Sequence, residues 1–383
     1  MKITSITLTP VSYPAPHPLR WGWGETPTMG STIVQVHTDE GLVGLGDAGG
    51  PVGATGLLAS QQAVLHDSLE PVLLGENPLD VTRLWAAMAR RVSGGWAGQL
   101  VGGIDVALWD IVGQAAGLPL YRLFGAYRDR VPCYIAPSMR QPEVLVEELA
   151  AYRAQGFRAA KLRIGLGPVG WAGGPRDQRR DIAILERGRE VLGDDFAIGA
   201  DTDRTYDHAM AARLAPVVHA VGLAWFEEPL LATEREQYVR EMLRLREIIR
   251  VPLSGGQGFY GPLAFDELIN RGAVDIVQPD AAIAGGLTPL RTVAAMAAGR
   301  GLLCMPHVSC NCGHDIRVMA TAHALAALPN GAWLCYPAYD TPLRTELMQA
   351  PPVVEGGELI LPERPGLGLA LDPAALERLS RPG

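Results

Sequence analysis

Six short segments in the C-terminal two-thirds of the chain each end an apolar run on a polar or charged residue. They recur at intervals of roughly 23 to 40 residues, about one βα unit in a barrel of ~250 residues. In order they are AAKLRIG with Lys161 and Arg163, AIGAD with Asp201, LAWFEEP with Glu227, VPLSGGQ with Gln257, VDIVQPD with Asp280 and LLCMPH with His307. The carboxyl ends of neighbouring strands in a closed parallel barrel converge on one mouth, so all six would face one cavity. A single strand ending in a charge as it exits into solvent says little. Six in regular succession say much more. Lys161 and Arg163 are alternate residues and share a face, with Leu162 turned towards a helical layer. Two cations inside a barrel are costly unless anions or a ligand compensate them. Two acids and an amide suit a metal, and an Asp with a His suits proton transfer.

The rest of the chain divides around this pattern. Residues 1 to about 50 alternate as strands do (KITSITLTPV, STIVQVHT, LVGLGDA), with Asp39-Glu40-Gly41 as the turn between the last two. From about 53 to 116 the spacing becomes helical, as in VGGIDVALWDIVGQAAG, with Gly117 as a stop signal and Pro119 beyond it. A small α+β unit over residues 1–125 therefore precedes a barrel over 126–349. Eight strands are expected there: VPCYIA, AAKLRI, FAIGAD, LAWFEE, VPLSGG, VDIVQP, LLCMPH and AWLCYP, with helices between them. The tail 350–383 reads as hairpin and loop returning to the N-terminal unit.

Composition narrows the function. The net charge of −8 with no basic run argues against nucleic acid as a partner. No run of 18 uninterrupted apolar residues and no long apolar start points to a membrane or a signal peptide, so a cytoplasmic location is expected. Five cysteines without a disulfide-framework spacing agree with a reducing compartment. Cys310-Asn-Cys312 lacks a second pair and is set aside as a metal site.

Two loops read as ligand-facing. Residues 14–30, PAPHPLRWGWGETPTMG, are expected to be irregular and to bring Arg20, Trp21 and Trp23 over an anionic ligand, unless the tryptophans only pack the loop. The glycine-rich stretch after Arg163 reads as a flap. Asp203 could meet a substrate hydroxyl or a metal-bound water, His314 reads as a local hydrogen-bonding residue, and Glu228 is expected on the opposite side of its strand from Glu227 in a structural ion pair.

These motifs, with GGIDVALWDIVGQAAGLPLYRLFG, Asp201-Thr-Asp203, FEEP, GGQ and the closing PGLGLAL, resemble the enolase superfamily in its mandelate racemase-like subgroup. The resemblance spans nearly the whole chain. It implies an α/β fold, a modified TIM barrel (β/α)7β under an N-terminal α+β capping domain. It also implies removal of the proton α to a carboxylate with Mg²⁺, a chemistry that enolase-superfamily sites carry out with a Lys or His base beside the metal. By position, Asp201, Glu227 and Gln257 would hold Mg²⁺, His307 oriented by Asp280 would be the base, and Lys161 would neutralise the substrate carboxylate. A symmetric homo-oligomer is expected on the same resemblance.

Three departures from the family pattern bear on the reaction. Gln257 stands where a third carboxylate is usual, Arg163 where a racemase carries a second lysine base, and Cys335 where an acid binds the enolate. An arginine, with a pKa above ~12, is a poor base at neutral pH. One base suits syn dehydration of a sugar acid, and two missing anions favour a diacid with Arg20 or Arg163 on its distal carboxylate. A cycloisomerase or epimerase of sugar-acid derivatives, and a barrel that only binds sugar acids, remain the alternatives.

Overall fold

The computed structural model describes residues 1–380 apart from 23, 50–54, 166–177, 232–233 and 310–313. Strands β1 (Ile3–Trp21), β2 (Gly24–Thr38) and β3 (Val43–Asp47) form an antiparallel sheet in chain order. Gly41, at φ 81°, makes the turn into β3. The helix Gly95–Ala116 lies directly on β3, because Gly44 and Gly46 leave it room. A Cβ on Gly46 would stand 1.9 Å from the Gly103 carbonyl oxygen, and one on Gly44 2.0 Å from that of Ala107. Gly117 closes the helix at φ 68°, and Leu118 N–H donates to the Gly113 carbonyl.

Residues 14–30 depart from the expectation of an irregular loop. β1 and β2 continue through them as one long hairpin, with Leu19 opposite Thr26 and Arg20 opposite Glu25 after a slip in register past Pro14. β1 is the edge of its sheet and needs backbone donors on one side only, so prolines are tolerated there.

Eight parallel strands follow: β4 (Arg130–Ala136), β5 (Ala159–Arg163), β6 (Ala197–Asp201), β7 (Trp225–Glu227), β8 (Leu253–Gly255), β9 (Ile276–Val277), β10 (Leu303–Cys304) and β11 (Leu334–Pro337). They pair in order from β4 to β10, and β11 pairs back onto β4 with Cys335 opposite Tyr134. Helices separate the strands, but β11 is followed directly by the four-residue helix Pro342–Thr345 rather than a full crossover helix. The fold is a modified (β/α)7β barrel with an N-terminal α+β cap. One apolar core fills the barrel, a second lies between the capping sheet and its helices, and a third joins the two units through Val11, Leu19, Leu287 and Ile316.

The tail divides between the two units. Strands β12 (Val353–Glu355) and β13 (Glu358–Ile360) form a hairpin that pairs antiparallel with β4, Leu359 opposite Val131. The expected return to the N-terminal unit concerns the later residues: Gly366 bridges Pro119, and Leu367 N–H donates to Asp110. Among the described residues, no helix is long and apolar enough to cross a membrane.

Candidate active site

Strand register builds the site as two layers. Arg163, Asp201 and Glu227 lie side by side on β5, β6 and β7, and Lys161, Gly199 and Trp225 form the row beneath. Leu162, between the two cations, is fully buried against the helical layer. Gly199 has no side chain because the Trp225 indole fills its place, 2.0 Å from where a Cβ would stand. Trp225 Nε1 in turn donates to Glu227 Oε2 at 3.0 Å and holds that carboxylate from below.

Lys161 has other nearest partners than the substrate expected for it. Its ammonium is wholly buried, 2.5 Å from Glu227 Oε1 and 3.0 Å from Asp201 Oδ2. Burial alone would favour the neutral amine, but the two carboxylates outweigh it and hold Lys161 protonated. Asp201 is likewise held below the usual carboxylate range, since Lys161 and Arg163 overcome the cost of its burial. The two acids are thus close together and bridged by one cation.

Gln257 follows β8 in a loop tied down by a residue whose role the sequence did not reveal. Glu228 takes a positive φ of 41°, and its Oε1 accepts hydrogen bonds from the backbone of Gly256 at 2.8 Å and Gln257 at 2.9 Å. Burial raises its proton affinity, and Arg204 opposes that shift. Asp203, Arg204 and Glu228 are the non-glycine residues with positive φ among those described, and all three border this site. Asp203 donates its N–H to Asp201 Oδ1 at 2.8 Å, and its carboxyl is pushed up to about 6 by burial and the charge of Asp201.

His307 and Asp280 lie just beyond β10 and β9. His307 Nδ1 is 2.8 Å from Asp280 Oδ2, while Oδ1 accepts from the backbone of Ala282 and Ile283. Burial works against the Asp280 charge, yet Arg317 and His307 bring its pKa down to about 2. An ionised Asp280 fixes Nδ1 as the protonated nitrogen and leaves Nε2 as an acceptor.

The hairpin of β1 and β2 reaches over this mouth. Its tip at Gly22 rests on the loop after β6, where a Cβ would meet Thr205 at 2.3 Å and Asp203 at 3.3 Å. Its backbone docks on the loop after β4: Arg20 N–H donates to Ser138 Oγ, and Met139 N–H to the Arg20 carbonyl. Arg20 and Arg163 line one narrow cleft with Ser138 and Tyr339. The Arg20 guanidinium is also paired with Glu25 across the hairpin at 2.9 Å. Cys335 is fully buried on β11, and its thiol donates to the carbonyl of Val308, next to His307 in the chain. The Trp21 side chain and the stretch 166–177 expected as a flap lie outside the described residues.

Comparison with known proteins shows the family of the chain. Residues 3–125 match the mandelate racemase / muconate lactonizing enzyme N-terminal domain, and residues 144–375 the enolase C-terminal domain-like family. The chain is 30% identical over 364 residues to arabinonate dehydratase of Saccharolobus solfataricus, covering 93% of this chain and 92% of that one. It is 28% identical to D-galactarolactone cycloisomerase of Agrobacterium fabrum, with 91% of each covered. A solved racemase of Streptomyces coelicolor A3(2) with bound magnesium superposes with a TM-score of 0.86 at 27% identity, covering 98% of this chain and 99% of that one. This chain therefore belongs to the enolase superfamily, in its mandelate racemase subgroup.

Proposed function

We propose that this chain is a Mg²⁺-dependent lyase that dehydrates a sugar acid to a 2-keto-3-deoxy acid. The observation that carries this reading is a one-sided proton-transfer site. His307 stands on Asp280, whereas the corresponding basic position on β5 is Arg163, which stays protonated at neutral pH.

The donor set fits magnesium. Asp201 and Glu227 are adjacent in register, and the amide oxygen of Gln257 is buried with no hydrogen-bond partner, as an oxygen awaiting a ligand would be. Asp203 accepts weakly from the Gln257 Nε2 at 3.4 Å and orients the amide. Three oxygen donors of this kind suit a hard divalent cation. When bound, the ion supplies positive charge for the carboxylate oxygens on which charge builds as the α proton leaves.

His307 Nε2 takes that proton. The Cα–Cβ double bond forms as the β C–O bond breaks, and His307 returns the proton to the departing hydroxyl on the same face, releasing water. The enol then tautomerises to the 2-keto acid. Lys161 bridges the two acids and holds them in place. Arg163, with Arg20 beside it in the cleft, suits a second carboxylate at the distal end of the substrate.

A library of acid sugars with Mg²⁺, read for 2-keto product, tests the reading. Diacids are expected to turn over faster than monoacids, and the reverse order would remove the distal-carboxylate assignment. The similarity to a lactone cycloisomerase favours a second reading, in which product and substrate have the same mass. Loss of 18 Da, a water, separates the two.

A further inference from the structure

A buried guanidinium links the candidate base to the capping sheet. Arg317 opens the helix Ile316–Ala326, and its Nε and Nη2 each stand 3.2 Å from the carboxylate of Asp47, the last residue of β3. Its Nη1 stands 3.7 Å from Asp280 Oδ2, the same oxygen that His307 Nδ1 contacts at 2.8 Å. Asp47 is further held by Ser31 Oγ and by the N–H of Gly49 at 2.6 Å, and His314 Nε2 lies 3.8 Å away. Gly49, at φ 63°, leaves the space: a Cβ there would stand 2.8 Å from Arg317 Nη2. Asp47 and Arg317 are 3% exposed and Asp280 is 0% exposed, so water screens none of these charges effectively. The charged or titratable groups that the described residues set around Asp280 and His307 from the helix, the turn before it and the capping sheet are Arg317, His314 and Asp47.

We infer that Arg317 is a positioning residue whose charge is divided between Asp47 and Asp280, so that the capping sheet sets how firmly Asp280 holds the imidazolium of His307. The physical argument is one of competition. Two buried carboxylates share one guanidinium, and Asp280 Oδ2 has two cationic claimants. The more Asp47 takes of Arg317, the more of Asp280 is left for His307. A cap that is not seated leaves Arg317 to Asp280 alone, and the base is weakened until the cap is in place. The inference rests on His307 being the base.

The competition makes the two ends of the bridge respond in opposite directions. Asp47→Asn releases Arg317 towards Asp280, so His307 holds its proton less tightly. The acidic limb of the kcat profile then moves to lower pH and kcat falls, with KM little changed. Arg317→Gln leaves Asp280 to His307, and the limb moves to higher pH. A purely structural bridge would lower stability in both variants and move neither limb.

The experiment that needs no turnover is proton NMR of the low-field Nδ1–H of His307, assigned by its loss in Asp280→Asn. It is expected to move upfield in Asp47→Asn and downfield in Arg317→Gln. Should Arg317→Gln fail to fold with Asp47 buried alone, the double variant Asp47→Asn/Arg317→Gln removes that charge and is expected to show the downfield shift. Resonances that stay in place or move in the same direction in folded variants overturn the inference, as does absence of the signal in the wild-type protein. Absence of any sugar-acid turnover, with the opposed shifts present, would sink the proposed reaction and leave this coupling standing.

Discussion

Gln257 and Lys161 together set the charge of the candidate metal site. Asp201 and Glu227 are two acids where a third is usual, and Lys161 already pairs with both. Gln257→Glu is therefore expected to tighten Mg²⁺ binding by about tenfold, roughly 1.4 kcal/mol, as measured by isothermal titration calorimetry. Unchanged or weaker binding would place Gln257 outside the ligand set. Trp225→Phe removes the hydrogen bond under Glu227 and leaves a buried carboxylate oxygen with one donor fewer. A loss of about 1–3 kcal/mol in folding stability is expected in a denaturant titration. At this scale the acids and the His/Asp pair were legible because strand alternation and segment spacing determine them. Glu228 was legible only in part: the charge of Arg204 acts on it as a structural partner would, but its hold on the Gly256–Gln257 backbone has no local pattern. Arg317 was not legible: its partner Asp47 lies 270 residues away, beyond any local pattern.

Among the elements, the capping strand β3 and the hairpin carry most of what the sequence showed only in part. The Val-Gly-Leu-Gly run reads as a strand, but the reason for its glycines appears only when the helix Gly95–Ala116 is seen to lie on it. Gly46→Ala should force helix and strand apart and cost about 1–3 kcal/mol, seen as a lower midpoint of thermal unfolding. A stability equal to wild type would show the close approach to be adjustable. Residues 14–30 were read as an irregular loop because proline and glycine dominate them. The edge position that makes those prolines harmless is a property of the sheet and is invisible in the segment itself. The tail misled for a related reason, since a hairpin does not announce which sheet edge it will join, and here it joins β4.

In the whole molecule, the two units are stapled by buried carboxylates on the capping helix. Asp105 accepts from Thr288 N–H at 2.9 Å and Thr288 Oγ1 at 2.6 Å, at the start of the helix Leu287–Ala298. Burial pushes its pKa up to about 7, against those hydrogen bonds, and Asp110 on the same helix is raised to about 6. A carboxyl whose folded pKa is raised keeps its proton where the unfolded chain has lost it. Stability from this source therefore falls as pH rises from about 4 and levels off once pH passes 7. Asp105→Asn should flatten the dependence of the thermal midpoint between pH 5 and 7, with the part due to Asp110 remaining. An unaltered slope would mean that Asp105 is ionised throughout. The barrel, its cap and the layout of the mouth were all visible in the succession of segments. The links between cap and barrel were not, because each joins residues distant in sequence.

The proposed reaction makes His307 the base. The most direct test follows the α proton of the best sugar acid in D₂O with Mg²⁺, comparing the wild-type protein with His307→Asn. The wild type should form the 2-keto acid with deuterium at C3. The variant should lose about 10²–10⁴-fold in rate while binding Mg²⁺ as before. Full activity in His307→Asn would contradict the assignment of the base and, with it, the one-sided mechanism.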